Sequence, residues 1–230
     1  ALTLQRALLP DALPVVPGFT FEARYLASSG QASVGGDFHD AFDLPSGRIV
    51  ALIGDVQGHS LRAATVMAEL RFAMRAYLLE MHEPANALRL LNELMMRNYP
   101  DDTATVVLAV FDASSGQVEV VNAGHLPPLL VTGSAAEYVE GGGLLIGVPG
   151  PPPAPVRIEL PEQSCLVFVT DGLIERRGES LDDGLEKMRG VVRDAATLDP
   201  AAIADLLLER FPAPVAEDDV AILVIGRGAC

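Results

Sequence analysis

Apolar positions along the chain fall into two periods, and the two periods mark out different elements. Short runs rich in β-branched residues, bounded by Gly, Pro, Asn or Asp, predict strands at 19–27, 104–111, 118–122, 128–131, 137–139, 156–160, 165–170 and 220–225. Segments 37–44 and 48–55 read as a hairpin around Pro45-Ser46-Gly47. Helical spacing covers 60–82, where Ala63, Ala64, Ala68, Ala73 and Ala76 suit close packing between a sheet and another helix. Glu69, Arg71 and Arg75 interrupt that apolar stretch. Pro84 opens a second helix over 85–97, with Leu88, Leu91 and Leu94 on one face, and 181–192 and 200–210 are also helical. Several strand pairs are joined by connections too short for parallel crossovers. The expected fold is therefore a layered α+β domain with a mainly antiparallel sheet.

Residues 2–9 also have a helical pattern, stopped by Pro10 and Pro14. They read as the end of a connecting helix, so residues 1–13 are expected to be the tail of an upstream region and 14–228 the domain proper. A helix this short is marginal in water. Leu2, Leu4, Leu8 and Leu9 then need a partner, either the core or the same segment of a second chain in a homodimer.

Composition narrows the function classes. The 230 residues are 50% hydrophobic, enough for a sizeable core, yet no apolar run reaches the roughly 20 residues of a membrane span. Sixteen Lys and Arg against 31 Asp and Glu give a net charge of −15, which argues against nucleic acid or an anionic membrane as partner. Of the two cysteines, Cys165 lies in an apolar run and Cys230 at the end, a poor disulfide pair, so the chain reads as intracellular and cytoplasmic.

The acidity has a pattern. Aspartates stand where apolar runs end, in Val34-Gly35-Gly36-Asp37, Leu52-Ile53-Gly54-Asp55, Phe168-Val169-Thr170-Asp171-Gly172 and Glu217-Asp218-Asp219-Val220. Taken singly, each has a bland reading. Asp55 and Ser60 could cap the following helix, Asp37 could sit on a surface bulge, Asp171-Gly172 could turn a hairpin, and Asp218-Asp219 could be solvated. Brought together, four carboxylates repel unless protons or cations occupy the site. An all-oxygen set suits Mg²⁺ or Mn²⁺. No zinc spacing, Gly-x-Ser-x-Gly elbow or phosphate-binding P-loop competes with this reading. His39, His59 and His125 are candidate proton donors that sequence does not rank, and Asp40, alternating with Phe38, is a weak ligand candidate.

These motifs, in this order, resemble the PPM metal-dependent serine/threonine protein phosphatases, in the bacterial SpoIIE-type branch that includes the sigma-B-regulator phosphatases. The resemblance runs from Leu4-Gln5-Arg6-Ala7-Leu8-Leu9-Pro10 through the Asp37 and Asp55 motifs and Ala123-Gly124-His125-Leu126-Pro127-Pro128. It continues through Thr170-Asp171-Gly172-Leu173-Ile174-Glu175 and ends at Asp218-Asp219-Val220. It implies a β-sandwich of two antiparallel sheets flanked by helix pairs, with two Mn²⁺ or Mg²⁺ ions at one end. Asp55 then bridges both ions and the Val56 carbonyl binds the second. Asp171 and Asp218 bind the first, and Asp37 holds metal-bound water or a third ion. Asp37 and Asp55 are the catalytic pair, and Asp219 ranks below Asp218. The implied chemistry is in-line attack by a water that the two metals acidify, without a phosphoenzyme. The implied partner is a phosphorylated anti-sigma-factor antagonist, with an upstream sensor domain joined through the opening segment. The phosphate-binding Arg of eukaryotic members has no clear counterpart, since Arg24 stands in a different context, and Ser60 replaces a common Gly. The competing readings are a catalytically weak module that binds a phosphoprotein, and a phosphodiesterase or nuclease that the charge disfavours.

Overall fold

The computed structural model describes residues 9–10, 12–27, 35–58, 60–176, 178–195, 199–212 and 218–228. Almost all of the predicted opening helix lies outside them, as do Val34, His59, Arg177, Glu217 and Cys230. The elements are β1 (Phe19–Leu26), β2 (Phe38–Asp43), β3 (Arg48–Val56), α1 (Leu61–Leu79), α2 (Pro84–Asn98), β4 (Ala104–Asp112) and β5 (Gln117–Ala123). There follow β6 (Leu129–Thr132), β7 (Ala135–Tyr138), β8 (Val156–Glu159), β9 (Ser164–Val169), α3 (Asp171–Ile174), α4 (Leu181–Arg193), α5 (Pro200–Arg210) and β10 (Val220–Arg227).

Two five-stranded sheets form, in the orders β1-β10-β9-β6-β7 and β2-β3-β4-β5-β8. Every pairing is antiparallel. Strand alternation sends one set of side chains between the sheets, among them Ala41, Ile53, Phe111, Phe168 and Leu223. The opposite faces are covered by helices. α1 and α2 pack Met67, Leu70, Leu88 and Leu91 onto Val50, Leu52 and Leu108 of the second sheet. α4 and α5 pack Met188, Val192, Ile203 and Leu207 onto Val167, Ile222 and Val224 of the first. The result is a four-layered sandwich, the α+β arrangement expected from the pattern.

The helix starts follow local chemistry. Ser60 caps α1 by accepting from the Ala63 amide at 3.2 Å, and Asp199 caps α5 by accepting from the Ala202 amide at 2.9 Å. Pro84 occupies the first turn of α2, and Ser180 with Asp183 closes a capping box on α4. The charges that interrupt α1 also have partners. Glu69 accepts from the Tyr99 hydroxyl at 2.5 Å and from Asn98 at 3.0 Å. Arg71 reaches across to Asp40 on β2 at 3.0 Å, with Arg75 at 3.6 Å.

Antiparallel pairing also decides where the strand ends go. Phe38 at the start of β2 faces Gly54 near the end of β3. Ile222 near the start of β10 faces Val169 at the end of β9. The Thr170 hydroxyl then crosses from one sheet to the other, donating to Asp37 Oδ2 at 2.7 Å. All four acidic strand ends therefore lie at one end of the sandwich.

Candidate metal centre

Asp37 is the most enclosed of the expected site acids, only 2% exposed just ahead of β2. The two glycines before it are a close-approach device. A Cβ at Gly36 would lie 1.9 Å from the Val56 carbonyl oxygen and 2.9 Å from Asp55 Oδ1. At Gly35 it would fall inside the Asp219 carboxylate, 1.3 Å from Oδ2. Neither glycine has positive φ, so the constraint is space and not backbone handedness. The Val56 amide donates to the Gly36 carbonyl at 3.1 Å, fixing this turn against the end of β3.

Asp55 sits in the last turn of the β3 ladder, opposite Thr105 of β4. It is a strand residue and does not cap α1; Ser60 alone of the two does that. Asp171 follows β9 and starts the four-residue α3, closed by the Glu175 amide on the Asp171 carbonyl at 2.7 Å. The Asp-Gly pair therefore makes a helical turn and no hairpin. Asp218 is exposed, and its Oδ1 accepts the Asp219 amide at 2.8 Å. Asp219, ranked below Asp218 from the sequence, is 1% exposed and accepts from the Tyr25 hydroxyl at 2.5 Å.

The electrostatics show how near these groups are. Burial and then the charges of Asp171 and Asp218 push the Asp55 carboxyl up to about 7. Asp37 is held well above the usual carboxylate range by burial and by Asp55, partly offset by the Thr170 hydroxyl. Burial and Asp218 also raise Asp171. Both the Asp37 and Asp55 carboxyls are thus pushed toward the protonated form. Among the described residues no three acidic, His or Cys side chains enclose a single ion position as they stand. The donor set is nevertheless all oxygen, anionic and short of counter-charge, which is the chemistry of a hard divalent cation and not of zinc.

Beside Asp55 and Asp171 opens a cavity of about 230 Å³, lined also by Thr105, His125, Leu126, Glu175, Glu179 and Leu181. No Lys or Arg is among the described residues that line it. Arg24 is elsewhere, paired with Glu22 and Asp205 at 2.8 Å each. His39 is buried, and desolvation lowers it to about 4. His125 is lowered to about 4 by burial as well. Both are neutral near pH 7, so neither holds a proton to give as an imidazolium.

Two residues that sequence reasoning passed over belong to this end of the fold. Thr170 accepts the Ala221 amide at 2.8 Å while donating to Asp37, so it knits β9, β10 and the Asp37 turn together. A hydroxyl at the end of an otherwise apolar strand was its signal. Tyr25, on β1, had no such signal, because its partner Asp219 lies far along the chain.

A family profile described as Stage II sporulation protein E (SpoIIE) matches residues 45–228, and the chain belongs to that family. The stage II sporulation protein E of Priestia megaterium is 24% identical over 204 residues, covering 86% of this chain and 34% of that protein. The chain thus spans about a third of that relative's length. Among solved structures, the RsbU and RsbW domains of Rv1364c from Mycobacterium tuberculosis superpose with a TM-score of 0.86 and 32% identity, over 96% of this chain and 63% of that one. The PP2C phosphatase domain of SpoIIE from Bacillus subtilis, with a fragment of its regulatory domain, gives a TM-score of 0.79 at 22% identity, over 91% and 62%. The fold is that of the PPM phosphatase domains.

Proposed function

We infer that this domain is a metal-dependent phosphoserine and phosphothreonine protein phosphatase. The observation that supports it most is the one-ended cluster of Asp37, Asp55, Asp171 and Asp218, where burial and the neighbouring charges raise Asp55 to about 7, in a chain of the SpoIIE family. In this reading Asp55 would be the carboxylate common to two Mn²⁺ or Mg²⁺ ions, and the Val56 carbonyl would help hold the second. Asp171 and Asp218 would hold the first, and Asp37 would hold its water or a third ion. When bound, the ions supply an acidified water and neutralise charge on the phosphoryl oxygens. The chain's own residues set the stage. Thr170 aims the Asp37 carboxylate through its 2.7 Å hydrogen bond, and because Asp37 and Asp55 are both raised, cations binding there would compete with protons. The cavity beside Asp55 and Asp171 admits the phosphorylated side chain. With no cationic side chain on its described wall, phosphate recognition falls to the ions.

The proposed substrate is a phosphorylated anti-sigma-factor antagonist in the cytoplasm. Residues 1–13 are the proposed tail of a linker from an upstream sensor region, which could pair with the same segment of a second chain. No helix among the described residues is long and apolar enough to cross a membrane. The test is phosphate release from p-nitrophenyl phosphate and from a phosphorylated antagonist, with and without Mn²⁺. Metal-dependent release is expected. No release by this domain, or by a longer protein carrying its upstream region, refutes the enzyme reading and leaves a phosphoprotein-binding module.

A further inference from the structure

His125 is placed by its own turn with unusual care. The Asn122 side chain brackets the residue, its amide donating to the His125 carbonyl at 2.9 Å and its oxygen accepting the His125 amide at 2.8 Å. Gly124, at φ +72°, lets the chain bend there. The imidazole then spans the two sheets. Nδ1 is 2.7 Å from Thr105 Oγ1 on β4, and Nε2 is 3.2 Å from the Val169 carbonyl at the end of β9.

Those two partners are one step from the acids. Thr105 is the register partner of Asp55. Val169 precedes Thr170, which holds Asp37, and Asp171 follows. A carbonyl can only accept, so Nε2 must carry the hydrogen. The Thr105 hydroxyl then donates to Nδ1, and a single neutral tautomer satisfies both contacts. With both ring nitrogens engaged, the imidazole has no proton left to deliver to a leaving group.

We propose that His125 is a positioning residue. As an Nε2–H imidazole it sets the distance between the strand end that bears Asp55 and the strand end that bears Thr170 and Asp171. Among the described residues no backbone hydrogen bond joins the two sheets here, so the spacing of the acids from opposite sheets depends on such side-chain cross-links. The role rests on the phosphatase reading only for what the acids bind; the cross-link itself is a matter of geometry.

The experiment uses the whole chain and three variants. His125→Ala removes the clamp, and Thr105→Val removes the hydroxyl at almost constant shape should the first fail to fold. Thr105→Ser restores the hydroxyl. Calorimetric Mn²⁺ titration should show about 10-fold weaker binding for Thr105→Val and a larger loss for His125→Ala, the size seen when supports of metal ligands are removed, with Thr105→Ser recovering most of it. Nitrogen NMR of the labelled imidazole should show the Nε2–H tautomer in the wild type, and a weakened Nδ1 hydrogen bond in Thr105→Val. A residue that served only stability would lower the melting temperature and leave the Mn²⁺ affinity of the folded protein unchanged. Unchanged affinity in Thr105→Val, or a hydrogen on Nδ1 in the wild type, overturns the proposal. A wild type that binds Mn²⁺ and releases no phosphate sinks the phosphatase reading instead, and the titration still decides the clamp.

Discussion

Asp37 and Asp40 stand at the start of the same strand, both almost fully buried, and the chain handles their charges in opposite ways. Asp40 points toward α1 and meets Arg71 at 3.0 Å and Arg75 at 3.6 Å, so the protein supplies its own cations. Asp37, just ahead of that strand, meets Asp55, Asp171 and Asp219 and the neutral Thr170 hydroxyl, so its charged neighbours are more anions. Burying a charge is costly unless it is paired. The first site has its counter-charge in the folded chain, although Asp40 Oδ1 and Arg71 Nε are buried there without a hydrogen-bond partner. The second lacks counter-charge, and on the proposed reading that asymmetry separates a structural carboxylate from a binding one. Burial raises Asp40 too, but its arginines oppose the shift, whereas the acids around Asp37 add to it.

The contrast is broken most sharply at Asp55. Asp55→Asn should lower metal-dependent phosphate release at least about 10³-fold, since metal stabilisation of the transition state is worth several kcal/mol. Mn²⁺ titration should lose at least one site. The metal-free variant should melt no lower than the wild type, because a source of repulsion has gone. Unchanged stoichiometry together with full turnover would remove Asp55 from the bridging role.

At the compensated site the same kind of change should act in the opposite direction. Arg71→Met leaves Asp40 buried with only Arg75 near, and the side chains of the original pair are 4% and 0% exposed. Unfolding in urea should show a loss of about 3–5 kcal/mol, typical of removing one partner from a buried pair. Adding Asp40→Leu should recover much of it. If Arg71→Met cost nothing while Asp55→Asn unfolded the domain, the assignment of structural and binding roles would be reversed.

The next prediction uses pH. Asp55 has a folded value near 7 against an ordinary 3.8, so its contribution to stability is fully present below about 4 and is lost as pH rises through 7. A cation takes the place of the proton, so the gain in melting temperature on adding Mn²⁺ should grow steadily from pH 5 to pH 8. His39 and His125, lowered to about 4, act the other way: their stability is present above 6.5 and is lost as pH falls through 4. They do so with or without metal and cancel in the difference. A Mn²⁺ shift that is flat across this range would mean the carboxylates are not where the ion binds.

Much of this was legible in the sequence, and the gaps have physical causes. The strand and helix segments could be read from their period, and all four acidic motifs could be seen as strand ends, because both signals are local. The pairing of β1 with β10 was not legible, since it joins the two ends of the chain and nothing local encodes it. α3 was missed because four residues are too few to show a period and Asp171-Gly172 equally suits a hairpin. Asp40 was read as a weak ligand candidate, and its buried ion pair was not seen. Its clue was remote, in Arg71 and Arg75, one turn apart on a helix otherwise too apolar to carry them. Asp219 was ranked below Asp218 as a ligand, and its burial had no local signal, since its partner Tyr25 lies near the other end of the chain.

Asp219 sharpens the contrast as a third case, a buried carboxylate that accepts from the neutral Tyr25 hydroxyl at 2.5 Å. A hydrogen bond to a charged group contributes about 1.5–3 kcal/mol. Tyr25→Phe should therefore lower stability by no more than that, and should leave phosphate release within a few-fold of wild type, because Asp219 is not assigned to an ion. Asp218→Asn should weaken Mn²⁺ binding as Asp171→Asn does, and Asp219→Asn should be milder than either. The exposures of the pair run against that order, since Asp219 is buried and Asp218 is open to solvent. The order nevertheless follows from electrostatics: Asp218 weighs more than Asp219 on Asp55, and Asp218 also raises Asp171. An inactive Asp219→Asn beside an active Asp218→Asn would shift the ligand by one position and turn the Tyr25 hydroxyl into direct support for a metal ligand.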